Sequence, residues 1–359
     1  MFRAVFYPLA DTVKAFNVFQ YISFRAAYAA VTALLIAFLL GPKVIQALIH
    51  LGVGQQVRTD GPKTHLSKEG TPTMGGILII FSFVISVLLW QKLNAPSTWI
   101  ILLTALGFGC IGFVDDWLKI KRKNSAGLQA KVKLYGQFIV AFAVMVFIYT
   151  TRNPETTLLY IPFLKNSVLD LHIFYIPFGV LLLVGVSNSV NLADGLDGLA
   201  TGLVIIVLLA FTVLAYLTGH VEFANYLFIP YIKGVGELTI SSTALLGACV
   251  GFLWFNSHPA EMFLGDSGSL TLGALLASLS LLLKKEMLLL IIGGVFMLEV
   301  LSVIIQVVSY KLTRQRVFLM APIHHHFEMM GWKETKVVVR FWILGCLFAI
   351  LGLSTLKIQ

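Results

Sequence analysis

Apolar runs succeed one another along nearly the whole chain, near 24–41, 74–91, 98–114, 134–150, 173–190, 199–217, 238–255, 267–283, 287–310 and 338–356. A helix needs about twenty such residues to cross the hydrocarbon core of a bilayer. Inside that core every backbone N–H and C=O must be satisfied within the protein, so a spanning segment is either a helix or part of a closed barrel. Barrel strands alternate apolar and polar residues; these runs are continuous and read as helices. With 58% of the 359 residues hydrophobic and 12% charged, and a mean hydropathy of +0.89, the expected fold is all-α. It is a polytopic integral membrane protein of about ten transmembrane helices, in which residues 1–359 form a single transmembrane domain.

The first twenty residues lack a compact apolar core followed by a small-residue cleavage site, so the first span is expected to serve as the insertion signal. Cys110, Cys249 and Cys346 fall inside apolar runs without a neighbouring cysteine, which argues against a disulfide or a zinc site. If successive connections alternate sides, sixteen of the 26 basic residues share one side, including Lys43, Arg58, Lys63, Lys68, Lys123 and Lys311. The inner-side excess of Lys and Arg in membrane proteins makes that side cytoplasmic. Loops 42–73, 115–133, 191–198, 256–266 and 311–337 then form the active-site face, and both termini are periplasmic. The longest outer connection, 151–172, leaves no room for a sizeable external domain.

Five aspartates stand out against this background: Asp115, Asp116, Asp194, Asp197 and Asp266. A carboxylate at mid-bilayer costs roughly 2.5–3.5 kcal/mol, so acids in such a chain face water or one another. All five lie at the ends of apolar runs, and counting spans puts every one on the cytoplasmic side. An ion-coupled transporter, the reading from a different class, would hold its acids near mid-span and show internal repeats. Only Glu299 suits that reading, and no fixed-period or inverted repeat is present.

Asp115-Asp116 sits at the water end of a helix, where adjacent side chains diverge by about 100°; one acid can take a proton while the other holds a cation. The same pair could be a solvated anchor beside Trp117. Asn188, Asn191, Asp194 and Asp197 fill a short segment with Gly195 and Gly198, more polar groups than a helix cap needs. Asp266 opens a helix between Gly265 and Gly268, either as a cap or as a ligand for Mg²⁺, which takes few protein oxygens. His324, His325 and His326 are consecutive and cannot all face one ion in regular structure; phosphate or a nucleotide base suits them. Lys119 to Lys133 carries several cations with few acids nearby, suited to lipid headgroups or to a diphosphate. Gly293-Gly294 marks a possible helix break before Glu299, which has no assigned role. Gly247 and Gly251 suit close helix packing, within the chain or in a dimer. No phosphate-binding fingerprint of a soluble nucleotide fold is present.

Taken together, Pro72 to Gly76, Gly112 to Asp116, Asn188 to Leu199, Phe252 to Asn256, Gly265-Asp266 and Ala321 to His326 resemble the polyprenyl-phosphate N-acetylhexosamine-1-phosphate transferases over nearly the whole length. The triple histidine separates this chain from relatives using other sugar nucleotides. The resemblance implies ten transmembrane helices, a cytoplasmic cleft, often a homodimer, a need for Mg²⁺, and membrane lipid but no nucleic acid as partner. It implies transfer of phospho-MurNAc-pentapeptide from UDP-MurNAc-pentapeptide to undecaprenyl phosphate, giving lipid I and UMP, the first membrane step of peptidoglycan synthesis. GlcNAc-1-phosphate transfer to the same lipid is the alternative. Carried over by position, Asp115, Asp116 and Asp266 are the catalytic acids, with Asp266 the metal ligand. Thr73, Lys133, Asn188, Asn191, Asp194, Asp197, Asn256, Phe263, His324, His325 and His326 are substrate-binding. The chain departs from the family at Ala193, where Thr is common, and at Ser267, where Val is common.

Overall fold

The computed structural model describes residues 1–51, 70–122, 127–151, 156–162 and 168–356. The expected cytoplasmic basic residues Arg58, Lys63, Lys68 and Lys123 lie outside the described residues.

Among the described residues fourteen α-helices follow in order: α1 Phe2–Phe6, α2 Ile22–His50, α3 Gly76–Trp90, α4 Pro96–Arg122, α5 Ala130–Thr150, α6 Tyr175–Ala193, α7 Leu199–Thr218, α8 Val221–Leu227, α9 Leu238–Asn256, α10 Gly265–Leu283, α11 Glu286–Ile292, α12 Gly294–Thr313, α13 Ile323–Met329 and α14 Glu334–Ser354. Among the described residues nine helices are long and apolar enough to cross a membrane, and α3 is a shorter apolar helix. Each expected span coincides with one of these, so the all-α polytopic reading stands. The run 287–310 divides at Gly293 into α11 and α12, where the glycine pair pointed. One departure from pure helix is a small antiparallel hairpin of β1 Leu158–Tyr160 with β2 Val168–Asp170.

α10 is the axis of the bundle. It packs against α3, α4, α6 and α7, and all but three of its residues are buried, as expected of a helix apolar on every side. Small residues set its distance from its neighbours. A Cβ on Gly273 would stand 2.5 Å from the Val186 carbonyl oxygen of α6, and Ser187 donates to the Leu270 carbonyl at 2.9 Å. Thr104 of α4 and Ser278 share a hydrogen bond of 2.9 Å. Between α2 and α9, Gly251 faces Ala37 and the Leu34 carbonyl, and Gly247 faces the Ala30 carbonyl. That glycine pair therefore serves packing within the chain, where close backbone approach gains dispersion contacts that lipid does not supply. Leu35, Leu39, Ile139, Leu181, Ile304 and Ile350 are exposed and form part of the lipid-facing surface.

The end of the bundle where α2, α6 and α9 begin holds two closed charge clusters. Arg25 donates to both oxygens of Glu237, at 2.8 and 2.7 Å, and Lys92 pairs with the same carboxylate at 3.0 Å. Lys284 pairs with Glu286 at 2.8 Å, which also accepts from the Tyr175 hydroxyl at 2.5 Å.

Candidate active site

The opposite end, where α4 and α9 finish and α10 starts, gathers the aspartates. α4 runs on to Arg122, so Asp115 and Asp116 lie within the helix rather than at its end. This continuation places Lys119 on their side of the helix, at the i+4 and i+3 positions that face them. Carboxylate oxygens of Asp115, Asp116 and Asp266 lie within 4.8 Å of one another, although Asp266 is some 150 residues further along the chain.

The three acids are not equivalent. Asp116 accepts from the backbone N–H groups of Asp266 at 3.2 Å and Ser267 at 2.9 Å. It thus caps the first turn of α10 from a neighbouring helix, satisfying donors that every helix start leaves open. Asp115 accepts from the Leu128 N–H at 2.8 Å through Oδ1 and presents Oδ2 to Lys119 at 2.7 Å and to Lys133 at 3.9 Å. Asp266 also pairs with Lys119, and with Lys133 of α5 at 3.0 Å. Among the described residues, three carboxylates therefore share two ammonium groups in a nearly buried pocket.

Backbone pairing fixes this arrangement. Phe263 N–H donates to the Pro72 carbonyl at 2.8 Å, and Gly75 and Gly76 N–H donate to the Phe263 and Leu264 carbonyls at 2.9 Å each. The strap holds Met74 at φ 76°, a left-handed conformation that side chains adopt only when the surroundings enforce it. Thr73 comes to the edge of the acid cluster: a Cβ on Gly265, itself at φ +71°, would stand 2.8 Å from an Asp116 oxygen and 3.0 Å from the Thr73 hydroxyl. Gly112 and Gly76 let α4 and α3 meet the backbone of residues 266–268 directly.

The amide-rich segment is divided between structure and site. Asn188 donates to Gln137 of α5 at 2.7 Å and to the Val184 carbonyl at 2.8 Å, turning it toward the helix interior. Asn191 accepts from Ser269 at 2.8 Å, one turn into α10 from the acids. Asp194 ends α6; burial pushes its carboxyl up to about 8, and the negative charges of Asp266 and Asp116 act the same way. Asp197 accepts from the Ala260 N–H at 3.2 Å and lies 2.9 Å from Nδ1 of His258, while its own N–H donates to Glu334 at 2.8 Å. Asn256 is buried, accepts from Thr201 at 3.0 Å and donates to the Met262 carbonyl at 3.0 Å, and so shapes the turn that delivers Phe263 and Asp266.

The histidines lie on α13 and diverge as their spacing requires. His324 Nδ1 is 3.1 Å from Glu299, His325 Nδ1 is 2.7 Å from Glu328, and His326 Nδ1 accepts from the Leu319 N–H at 3.2 Å. His324 packs against Gly195, beside Asp194; the contacts of His325 and His326 just described lie within their own loop. Lys119 is the residue that sequence reasoning left in a general basic stretch, though its spacing from the two aspartates was a usable signal. The partners His258 and Glu334 of Asp197, and Gln137 of Asn188, left no signal in sequence.

An acid trio facing two lysines at the end of a membrane bundle suits a divalent cation and phosphate oxygens. Residues 98–284 match the glycosyl transferase family 4, and residues 68–80 match signature 1 of the phospho-N-acetylmuramoyl-pentapeptide-transferases. The phospho-N-acetylmuramoyl-pentapeptide-transferase of Thermodesulfovibrio yellowstonii is 51% identical over 100% of both chains. Those of Syntrophus aciditrophicus and Desulfotalea psychrophila are each 50% identical over 100% of both chains. The chain belongs to the phospho-N-acetylmuramoyl-pentapeptide-transferase family of membrane enzymes, within glycosyl transferase family 4.

Proposed function

We propose that this chain transfers phospho-MurNAc-pentapeptide from UDP-MurNAc-pentapeptide to undecaprenyl phosphate, giving lipid I and UMP, at the cytoplasmic face of a bacterial inner membrane. The observation that carries the reading is the meeting of Asp115, Asp116 and Asp266 within 4.8 Å under Lys119 and Lys133. Phosphoryl transfer between two anions needs positive charge around the reacting phosphorus and a base for the incoming oxygen.

The residues fit Mg²⁺. Asp266 presents an oxygen toward a point that the Lys119 and Lys133 ammonium groups now share, and the donor set is all oxygen. When bound there, Mg²⁺ would supply charge neutralisation for the diphosphate. Asp115, whose Oδ2 is not engaged by backbone, takes the proton from the lipid phosphate, and the freed oxygen attacks the sugar-linked phosphorus in line. Lys119 and Lys133 hold the phosphate oxygens, and UMP departs. Asp116 keeps both oxygens on α10 and so holds Asp266 in place. Asp194, Asp197, Phe263 and the histidine helix form the nucleotide-sugar side. A cleft of about 540 Å³ along α12, lined by Val303, Val307 and Met320 and edged by Lys311 and Arg316, has the composition for a prenyl phosphate. A homodimer is the proposed assembly.

UMP release by purified protein, given undecaprenyl phosphate and either UDP-MurNAc-pentapeptide or UDP-GlcNAc, tests this directly. Release with the first donor alone is expected; release with the second alone makes the chain a GlcNAc-1-phosphate transferase. Labelled phosphate retained on the protein without lipid would contradict direct attack and favour a phospho-aspartate.

A further inference from the structure

Glu299 takes part in none of the chemistry above. It lies in the second turn of α12, is wholly buried, and faces a wholly buried imidazole, with Oε2 3.1 Å from Nδ1 of His324. Among the described residues no well-aligned hydrogen bond reaches either carboxylate oxygen. The contrast with Glu237, held by Arg25, Lys92 and a backbone N–H, is chemical: that acid is closed off by cations, whereas Glu299 has one partner.

The far side of the His324 ring points to what the pair does. Nε2 is the first atom that a Cβ on Gly195 would strike, so the imidazole is wedged between α12 and the Asp194–Gly195 turn. His325 lies beside it, ring centroids 4.1 Å apart and planes tilted by 55°, but is tied to Glu328. A buried acid–imidazole couple is a poor way to gain stability, because apolar side chains of similar volume serve as well or better. It is a good way to fix a ring, since Glu299 stands 3.1 Å from Nδ1 at one edge while Nε2 at the opposite edge packs against Gly195. Glu299 in a membrane helix, His324 on α13 and a residue without a side chain at 195 have one joint product, the position of the turn that carries Asp194.

We propose that Glu299 is a positioning residue: acting through His324, it fixes the Asp194–Gly195 turn and thereby the side of the site that receives the nucleoside diphosphate of the donor. The inference rests on the donor reading given above. Its signature is a defect in donor binding, read separately from the KM for undecaprenyl phosphate.

Calorimetric binding of UDP-MurNAc-pentapeptide and steady-state UMP release are measured for the unsubstituted protein, Glu299→Gln, His324→Gln and the double variant. Glu299→Gln is expected to weaken donor binding and raise the donor KM about tenfold while leaving the KM for undecaprenyl phosphate unchanged. The double variant is expected to be no worse than His324→Gln, because the acid acts through the ring. Gly195→Ala pushes on the same ring from the turn side and supplies the same readout should Glu299→Gln fail to fold. A purely structural role lowers the folded fraction, hence apparent kcat, with both KM values intact. That outcome, or losses that multiply in the double variant, overturns the proposal. Donor binding and turnover by the unsubstituted protein in the same series separate its failure from failure of the donor reading.

Discussion

Arg25 and Glu237 at one end of the bundle, and Lys119 with Asp115, Asp116 and Asp266 at the other, are both buried ionic groups at helix ends. They differ in how the charge is closed. Glu237 receives two bonds from Arg25 and one ion pair from Lys92, each from within the protein. Among the described residues the acid trio outnumbers its two lysines. Buried ion pairs contribute little net stability but cost much when broken, so the first cluster reads as architecture. A buried cluster of like charges is unfavourable by itself and is characteristic of functional sites.

The comparison breaks if both ends respond alike to loss of an acid. Asp266→Asn is expected to lower UMP release by at least about 10³-fold, or ~4 kcal/mol of transition-state stabilisation, while thermal unfolding in detergent changes little or improves. Glu237→Gln should do the reverse. Stranding the fully buried Arg25 is expected to cost about 3 kcal/mol of stability, with both KM values of the folded fraction unchanged.

Asp194 sharpens the contrast through pH. Burial and the neighbouring acids push its carboxyl up to about 8, so the folded chain keeps this proton longer than the unfolded chain does. Stability therefore falls as pH rises through the interval between the ordinary aspartate value and about 8. Asp194→Asn is expected to have no effect on unfolding temperature below that interval and to stabilise above it, by on the order of 2 kcal/mol given partial solvent screening. An unchanged difference between the two proteins from acid to alkaline pH would contradict the assignment. The smallest effect is expected at Ser267, whose buried hydroxyl has no hydrogen-bond partner among the described residues. Ser267→Val should raise stability by about 1 kcal/mol, read from the same unfolding curves, without loss of activity.

The spans were legible because lipid leaves a backbone so few choices; a run of apolar residues with no alternation has one solution. Asp115, Asp116 and Asp266 were legible as outliers in that background. What sequence could not supply were the pairings. That Asp116 caps a helix some 150 residues away depends on Gly112 and Gly76 admitting α10 at backbone contact, a tertiary fact. Lys119 was hidden because lysines at a membrane edge are common, and only its i+3 and i+4 spacing from the aspartates marked it. Asn188 and Asn256, expected to bind substrate, also hydrogen-bond Gln137 and the 256–262 turn, partners that no sequence pattern gives. The seven-residue α13 carries too short a pattern to announce itself, since isolated helices of that length are unstable without packing. Glu299 was visible as an oddity, but its partner lies in another segment.

The central claim is that Asp266, brought beside Asp115 and Asp116 from a helix far along the chain, would hold a divalent cation that serves the donor diphosphate. Electron paramagnetic resonance of Mn²⁺ bound to purified protein, with and without UDP-MurNAc-pentapeptide, measures this most directly. One donor-dependent ion per chain is predicted, displaced by Mg²⁺ and lost in Asp266→Asn. Retention of the same ion with the same affinity in that variant would contradict it.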